Sequence, residues 1–170
     1  MKEARHTDLL LGMVSCCPCP VTHDGIEDNQ QKHYFLADLD EKDRNKVEDM
    51  AMKLVQKFRT GNIYVVRSGK GYHLISFSKP VGIDVYIKML RFVKSDPMFV
   101  KWVKKVGYGV LRISRRSSHM QVPCVVGVMV SPYENNENSF MKGFYLSILK
   151  FEEKINKVRR VLVEYKEGRY

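Results

Sequence analysis

The sequence has no apolar run approaching the roughly 18 residues that a membrane-crossing helix needs. Its opening LLLGMVSCC is short, and Glu3 and Asp8 interrupt the basic lead of a secretory signal. The chain is therefore expected to be cytoplasmic, with no membrane partner. Cysteine is scarce. Cys16, Cys17 and Cys19 crowd into SCCPCP, and Cys124 stands alone, so no spaced disulfide framework is available. Cys17, Cys19 and His23 carry zinc-ligating chemistry, but their spacing matches no common zinc pattern. A reduced cysteine turn is expected in preference to structural zinc. Internal repeats and long linkers are also lacking, and 170 residues read as one domain. Acidic residues are missing altogether from Met98 to Tyr133.

What is present is basic. Lys and Arg number 29 against 19 Asp and Glu, a formal charge of +10. That balance favours a polyanionic partner, nucleic acid before a lipid surface, since no polybasic run adjoins an apolar anchor. The hydrophobic share, 44%, suffices for a buried core.

Residues 8–22 read as a strand or hairpin broken by Pro18 and Pro20, and 24–32 as a polar loop. A strand is expected over His33–Leu39. From Glu41 to Arg59, Val47, Met50, Ala51, Leu54, Val55 and Phe58 recur at helical spacing, with Gly61 as the stop. NIYVVR and YHLISF read as strands joined by the tight turn SGKG. A helical region over 83–105 is divided by SDP, because proline disfavours helix at the residue before it. YGVLRIS and PCVVGVMV read as further strands. Phe144, Ile148, Phe151, Ile155, Val158, Leu162 and Tyr165 predict a long amphipathic helix over 139–166. That helix would pack on the domain, or serve a homodimer or a replication subunit. The order β-α-β-β-α-β suits an α+β fold of ferredoxin-like or RNA-recognition-like type. We divide it into an N-terminal hairpin and loop appendage (1–32), a core (33–134) and the C-terminal helix (135–170).

Chemistry concentrates in three places. The strand FLADLD ends in Asp38 and Asp40, which share one side of an extended chain. Paired carboxylates are unfavourable without a cation. The segment Ser68–His73 forms the SGKG turn and opens the next strand. Arg112 and His119 bracket VLRISRRSSH. Together these resemble the archaeo-eukaryotic primase superfamily, the primase–polymerases. FLADLD resembles its Asp-x-Asp strand, and VVRSGKGYHLISF the longer Ser-Gly-x-Gly-x-His form of its hairpin motif. VLRISRRSSH is similar to a Leu-Ile-Arg-Leu-Pro-x-Ser-Leu-His segment of archaeal primase small subunits. The resemblance covers about residues 33–130 and implies a nucleotidyltransferase of DNA replication, as in a plasmid or viral replicon.

That resemblance assigns Mg²⁺ or Mn²⁺ to Asp38 and Asp40, and a nucleoside triphosphate to Ser68, Lys70, His73, Arg112 and His119. Carboxylate oxygens suit these hard cations, and a glycine turn with Ser and Lys suits phosphate. The chain departs from the family at the third carboxylate, which the acid-free segment cannot supply. Asp84 and Asp96 are the nearest acids. Lys101, Lys104, Lys105, Arg112, Arg115 and Arg116 in that segment offer a backbone-binding surface for a single-stranded DNA or RNA template. Trp102 and Tyr108 could stack on bases there, although a helix tryptophan is more often core.

Plainer readings stand beside these. Asp38 and Asp40 could cap the following helix, His73 could be a satisfied strand histidine, SGKG an ordinary hairpin turn, and Arg112 a surface pair. Two further functions compete with a primase: a catalytically weakened nucleic-acid-binding replication accessory protein, and a metal-dependent nuclease using Asp38 and Asp40.

Overall fold

The computed structural model describes residues 12–15, 31–112, 123–133, 136–148, 150–151 and 158–160. In chain order these form β1 (Gly12–Val14), β2 (Leu36–Leu39), α1 (Arg44–Phe58), β3 (Ile63–Ser68), β4 (Gly71–Ile75), α2 (Ile83–Phe92) and α3 (Pro97–Val106). Then come β5 (Val110–Arg112), β6 (Cys124–Val130), α4 (Ser139–Ile148), β7 (Lys150–Phe151) and β8 (Val158–Arg160). The fold is α+β. Its body is a four-stranded antiparallel sheet in the order β2-β4-β3-β6, to which β7 and β8 add short parallel pairings on β6. Strand β4 lies between β2 and β3 and runs against both. The unit β2-α1-β3 is thus split by an inserted strand. Strand β5 pairs with β1 in a separate ladder and packs beside β2.

Helix α1 follows from its spacing. Val47, Ala51, Leu54 and Val55 are fully buried, and Asp43 caps the helix by accepting from the Asn45 N–H at 2.9 Å. It ends three residues before Gly61, with Arg59 in the left-handed region (φ 50°). At the far edge, the register of β3 on β6 shifts between Val65 and Val66, so Val126 has no partner across the ladder. Arg44 donates to the Val126 carbonyl and also holds the buried Glu48 carboxylate at 2.8 Å. A bulge carbonyl is thereby satisfied by a helix side chain.

Helix α2 ends at Phe92, and in the turn that follows Lys94 adopts a left-handed conformation (φ 53°). The Ser95 N–H donates to the Leu90 carbonyl and the Lys94 N–H to that of Arg91, the Schellman pattern. This turn delivers Ser95 and Asp96 to the outer edge of β2. There the Asp38 carbonyl accepts from the Asp96 N–H and the Ser95 hydroxyl, each at 2.7 Å. The Tyr86 hydroxyl does the same for the Leu36 carbonyl at 2.7 Å.

A buried polar cluster joins β1 to this edge. Ser15 Oγ accepts from the Gly109 N–H at 2.9 Å and shares a second hydrogen bond with His33 Nδ1 at 3.1 Å. The His33 ring stacks on Tyr86 at 5.6 Å. Burial holds its pKa below the ordinary value.

The C-terminal region differs from expectation. The helix predicted over 139–166 stops at Ile148, and Phe151 and Val158 of its seam lie on strands β7 and β8. The open edge of β6 offers unpaired backbone groups that extended, β-branched chain satisfies, and this outweighs the heptad spacing. The continuous docking face expected of a long helix is absent from the described residues. Residue Asn138 starts α4 by accepting from Met141 N–H and ties it to the sheet through the Phe77 carbonyl and Tyr34 hydroxyl. Among the described residues no helix is long and apolar enough to cross a membrane.

Two stability predictions follow from this packing. A Cβ on Gly71 would stand 2.0 Å from the Leu39 carbonyl oxygen. Gly71→Ala should therefore lose at least about 2 kcal/mol in urea unfolding. At Gly143, in α4, a Cβ meets nothing within 4 Å, and alanine should gain up to about 1 kcal/mol. Equal stabilities would contradict the close approach of β2 to β4. For His33 the unfolded chain takes up a proton at the ordinary value, 6.5, and the folded chain only at lower pH. Its contribution is complete above that value and lost as pH falls through the window below it. Urea midpoints measured between about pH 7 and pH 5 should fall more for the wild type than for His33→Gln; parallel curves would overturn the assignment.

Candidate functional site

The open end of β2 and the β3–β4 turn meet at one end of the sheet. Asp38 pairs with His73 across the β2–β4 ladder, and His73 with Val66 across β4–β3. Directly paired residues share a face. Accordingly Asp38 Oδ1 and His73 Nε2 lie 3.4 Å apart, within ion-pair reach and longer than a good hydrogen bond. His73 is buried, and its Nδ1 has no hydrogen-bond partner among the described residues. A strand histidine with both nitrogens satisfied is not what the ladder holds. Next along, Ser68 pairs with Gly71, whose Cα side abuts the Leu39–Asp40 peptide. Gly71 has room for nothing larger.

Neither aspartate caps α1. That role belongs to Asp43. Glu41 folds the connection by accepting from the N–H groups of Asp43 and Lys42, both at 2.9 Å, and these bonds hold its carboxyl below the usual range. The tight turn exposes Asp40 and Lys42 beside the SGKG hairpin.

Two open cavities adjoin here and share Lys42. The first, about 560 Å³, is lined by Lys42, Arg67, Ser68, Gly69, Lys70, Gly71 and Tyr72. Three cations, two hydroxyls and a glycine turn form its wall, with no acid among the described residues. The second, about 730 Å³, lies between the end of β2, α1 and the α2–α3 junction. Asp40 and Asp96 both line it, together with Lys42, Lys46, Lys53 and Lys94. Asp96 is already engaged there: its carboxylate caps α3, accepting from Met98 N–H at 3.2 Å and Phe99 N–H at 3.3 Å. Among the described residues no three His, Cys, Asp or Glu side chains gather as a metal-ion cluster.

Of the residues singled out in the sequence, Asp38, Asp40, Ser68, Lys70 and His73 fall at this one end. Arg112 does not line either cavity; it lies on β5 opposite Gly12. Lys101, Lys104 and Lys105 are exposed on α3. His119, Arg115, Arg116, Cys16, Cys17, Cys19 and His23 lie outside the described residues. Sequence reasoning passed over Lys42, Arg67 and the lysines of α1. One signal was available: Lys46, Asp49, Met50 and Lys53 recur at three- and four-residue steps, the face of α1 that lines the larger cavity.

The acid-free pocket should take a compact polyanion. Inorganic triphosphate is expected to bind, and Arg67→Glu or Lys70→Glu to weaken it by about tenfold each, the scale of one charge-assisted hydrogen bond. Lys88→Glu, on exposed α2 surface, should leave it unchanged. Calorimetry giving equal affinities for all three variants would contradict the pocket as the anion site.

In comparisons with protein-family models, with curated proteins and with solved structures, the chain matches nothing.

Proposed function

We propose that this chain is a nucleotide-binding domain of primase–polymerase type, holding a nucleoside triphosphate beside the end of β2 and working on a single-stranded template in DNA replication. The observation that carries the reading is the meeting of two sequence-distant motifs at one end of the sheet: Asp38 and Asp40 from FLADLD, and Ser68, Lys70 and His73 from VVRSGKGYH. The split β-α-β arrangement of β2, α1, β3 and β4 supports an RNA-recognition-like core.

In this reading the phosphates occupy the acid-free pocket. Lys42, Arg67 and Lys70 supply charge, and the Ser68 hydroxyl and turn amides supply directed donors. His73, buried against Asp38, follows the pocket residues Gly71 and Tyr72 on β4 without itself lining the pocket. The carboxylates of Asp38 and Asp40 are hard oxygen donors, partly and fully exposed, and fit Mg²⁺ or Mn²⁺. When bound, such an ion would neutralise the phosphate charge and activate an attacking hydroxyl. The phosphate role that the resemblance gives Arg112 has no place in this pocket, which Arg112 does not line, and His119 lies outside the described residues.

A second reading has its own support. Asp96 lines the same cavity as Asp40, yet its carboxylate serves the N-terminus of α3. This favours a domain in which nucleotide binding outlasts catalysis, the weakened accessory protein. The experiment that separates the two joins calorimetry to nucleotide incorporation. Mn²⁺–nucleotide affinity should be measurable and should disappear in Asp38→Ala and Asp40→Ala without loss of fold. Labelled nucleotide should enter a primer on a single-stranded template slowly, or only with Mn²⁺. Unchanged affinity in both variants would overturn the site. Brisk Mg²⁺-supported synthesis that survives Asp96→Ala would remove the weakened reading, and synthesis lost only in that variant would make Asp96 the third acid.

A further inference from the structure

Helix α3 turns Phe99 and Val103 inward, where both are buried. Its outer side is unusual for a short helix so anchored. Met98 is 69% exposed and Trp102, the chain's single tryptophan, 49% exposed. Among the described residues the Trp102 ring stacks on no other ring and has no cation above it. Of the two readings that the sequence leaves open for it, stacking surface or core, this exposure excludes the core.

Spacing defines what surrounds it. Residues three and four apart are neighbours on a helix surface. Met98 thus neighbours Lys101 and Trp102, and Lys105 neighbours the same two from the following turn. The four make one contiguous patch, an aromatic plate edged by two cations. Lys104 is excluded, since it lies roughly 160° around the helix from Trp102. No acid occurs between Pro97 and Arg112. The acid at the helix start, Asp96, already accepts two N–H groups of α3.

We infer that the Met98–Lys101–Trp102–Lys105 face is a stacking platform for an unpaired base of a single-stranded nucleic acid, with Lys101 and Lys105 against the flanking phosphates. The inference rests on the nucleic-acid reading above and adds the residues and the strandedness. Charge complementarity selects this occupant: an exposed ring between lysines, free of acids, suits a polyanion that carries flat apolar groups. A base held in a duplex has its faces already covered.

The single tryptophan makes the test direct. The full chain is titrated with fluorescein-labelled oligothymidylate of about 12 nucleotides, and both anisotropy and Trp102 emission are followed. Binding should quench the emission and should weaken steeply with salt. Trp102→Ala should lose about tenfold in affinity, the scale of one base–aromatic stack, while Trp102→Phe keeps most of it. Lys101→Glu and Lys105→Glu should weaken binding more than Lys104→Glu. Binding with unchanged emission and a normal Trp102→Ala variant would overturn the platform and leave the nucleic-acid reading standing. No binding at all would overturn both. Equal affinity for a duplex of the same length would overturn the stacking. Emission that changes with protein concentration alone would mark the face as a contact between copies of this chain, and would overturn the inference.

Discussion

Everything at the candidate site hangs on the outer edge of β2. A strand edge inside a protein leaves carbonyl groups that must find donors. Among the described residues no further strand supplies them. The Tyr86 hydroxyl serves Leu36, while Ser95 and Asp96 serve Asp38. Because Asp38 carries both the bonded carbonyl and the exposed carboxylate, the α2–α3 junction and the site strand form one mechanical unit. The left-handed turn at Lys94 sets where that junction lands. It also brings Asp96 to the wall that Asp40 occupies and fixes the direction in which α3 leaves.

Charge is laid over this frame unevenly. The formal charge of +10 is spread over the whole chain, but among the described residues the pocket at the SGKG turn and the outer side of α3 have cations without acids. The larger cavity instead mixes four acids, Asp40, Glu41, Asp49 and Asp96, with four lysines. A surface of this kind draws polyanions from a distance and orients them only where donors are fixed. The glycine turn, closed by the Ser68–Gly71 pair, is such a place. A phosphate chain and a nucleic-acid strand make different demands, and the two acid-free regions differ to match: directed donors at one, an exposed ring at the other.

How much of this was legible in the sequence depends on the range of the interactions. Local signals were sufficient for α1, where Val47, Ala51, Leu54 and Val55 mark the buried stripe, and for the hairpin around SGKG. They also placed the break at Ser95–Pro97, which separates α2 from α3. Features that depend on distant partners were not readable. The edge of β6 draws Lys150–Phe151 and Val158–Arg160 into strands, although the heptad spacing reads as one helix. Nothing near Ser15 announces that its hydroxyl meets His33 and Gly109. At the site, FLADLD and SGKGYH were visible as motifs, but Lys42 and Arg67 gain their meaning only when the two motifs are brought side by side. Trp102 stays open between surface and core in the sequence for a related reason: helical spacing tells which residues share its face, and only packing tells whether that face is covered.

The proposed triphosphate site lies where β2 ends and β3 turns into β4. A ¹H–¹⁵N correlation spectrum recorded during titration with nucleoside triphosphate and Mg²⁺ tests it residue by residue. The largest shifts should fall on Asp38–Lys42 and Ser68–His73, the Gly69 and Gly71 amides foremost, with α4 and the β1–β5 ladder unmoved. Saturable binding whose shifts cluster elsewhere, or spectra that do not change at millimolar nucleotide, would contradict it.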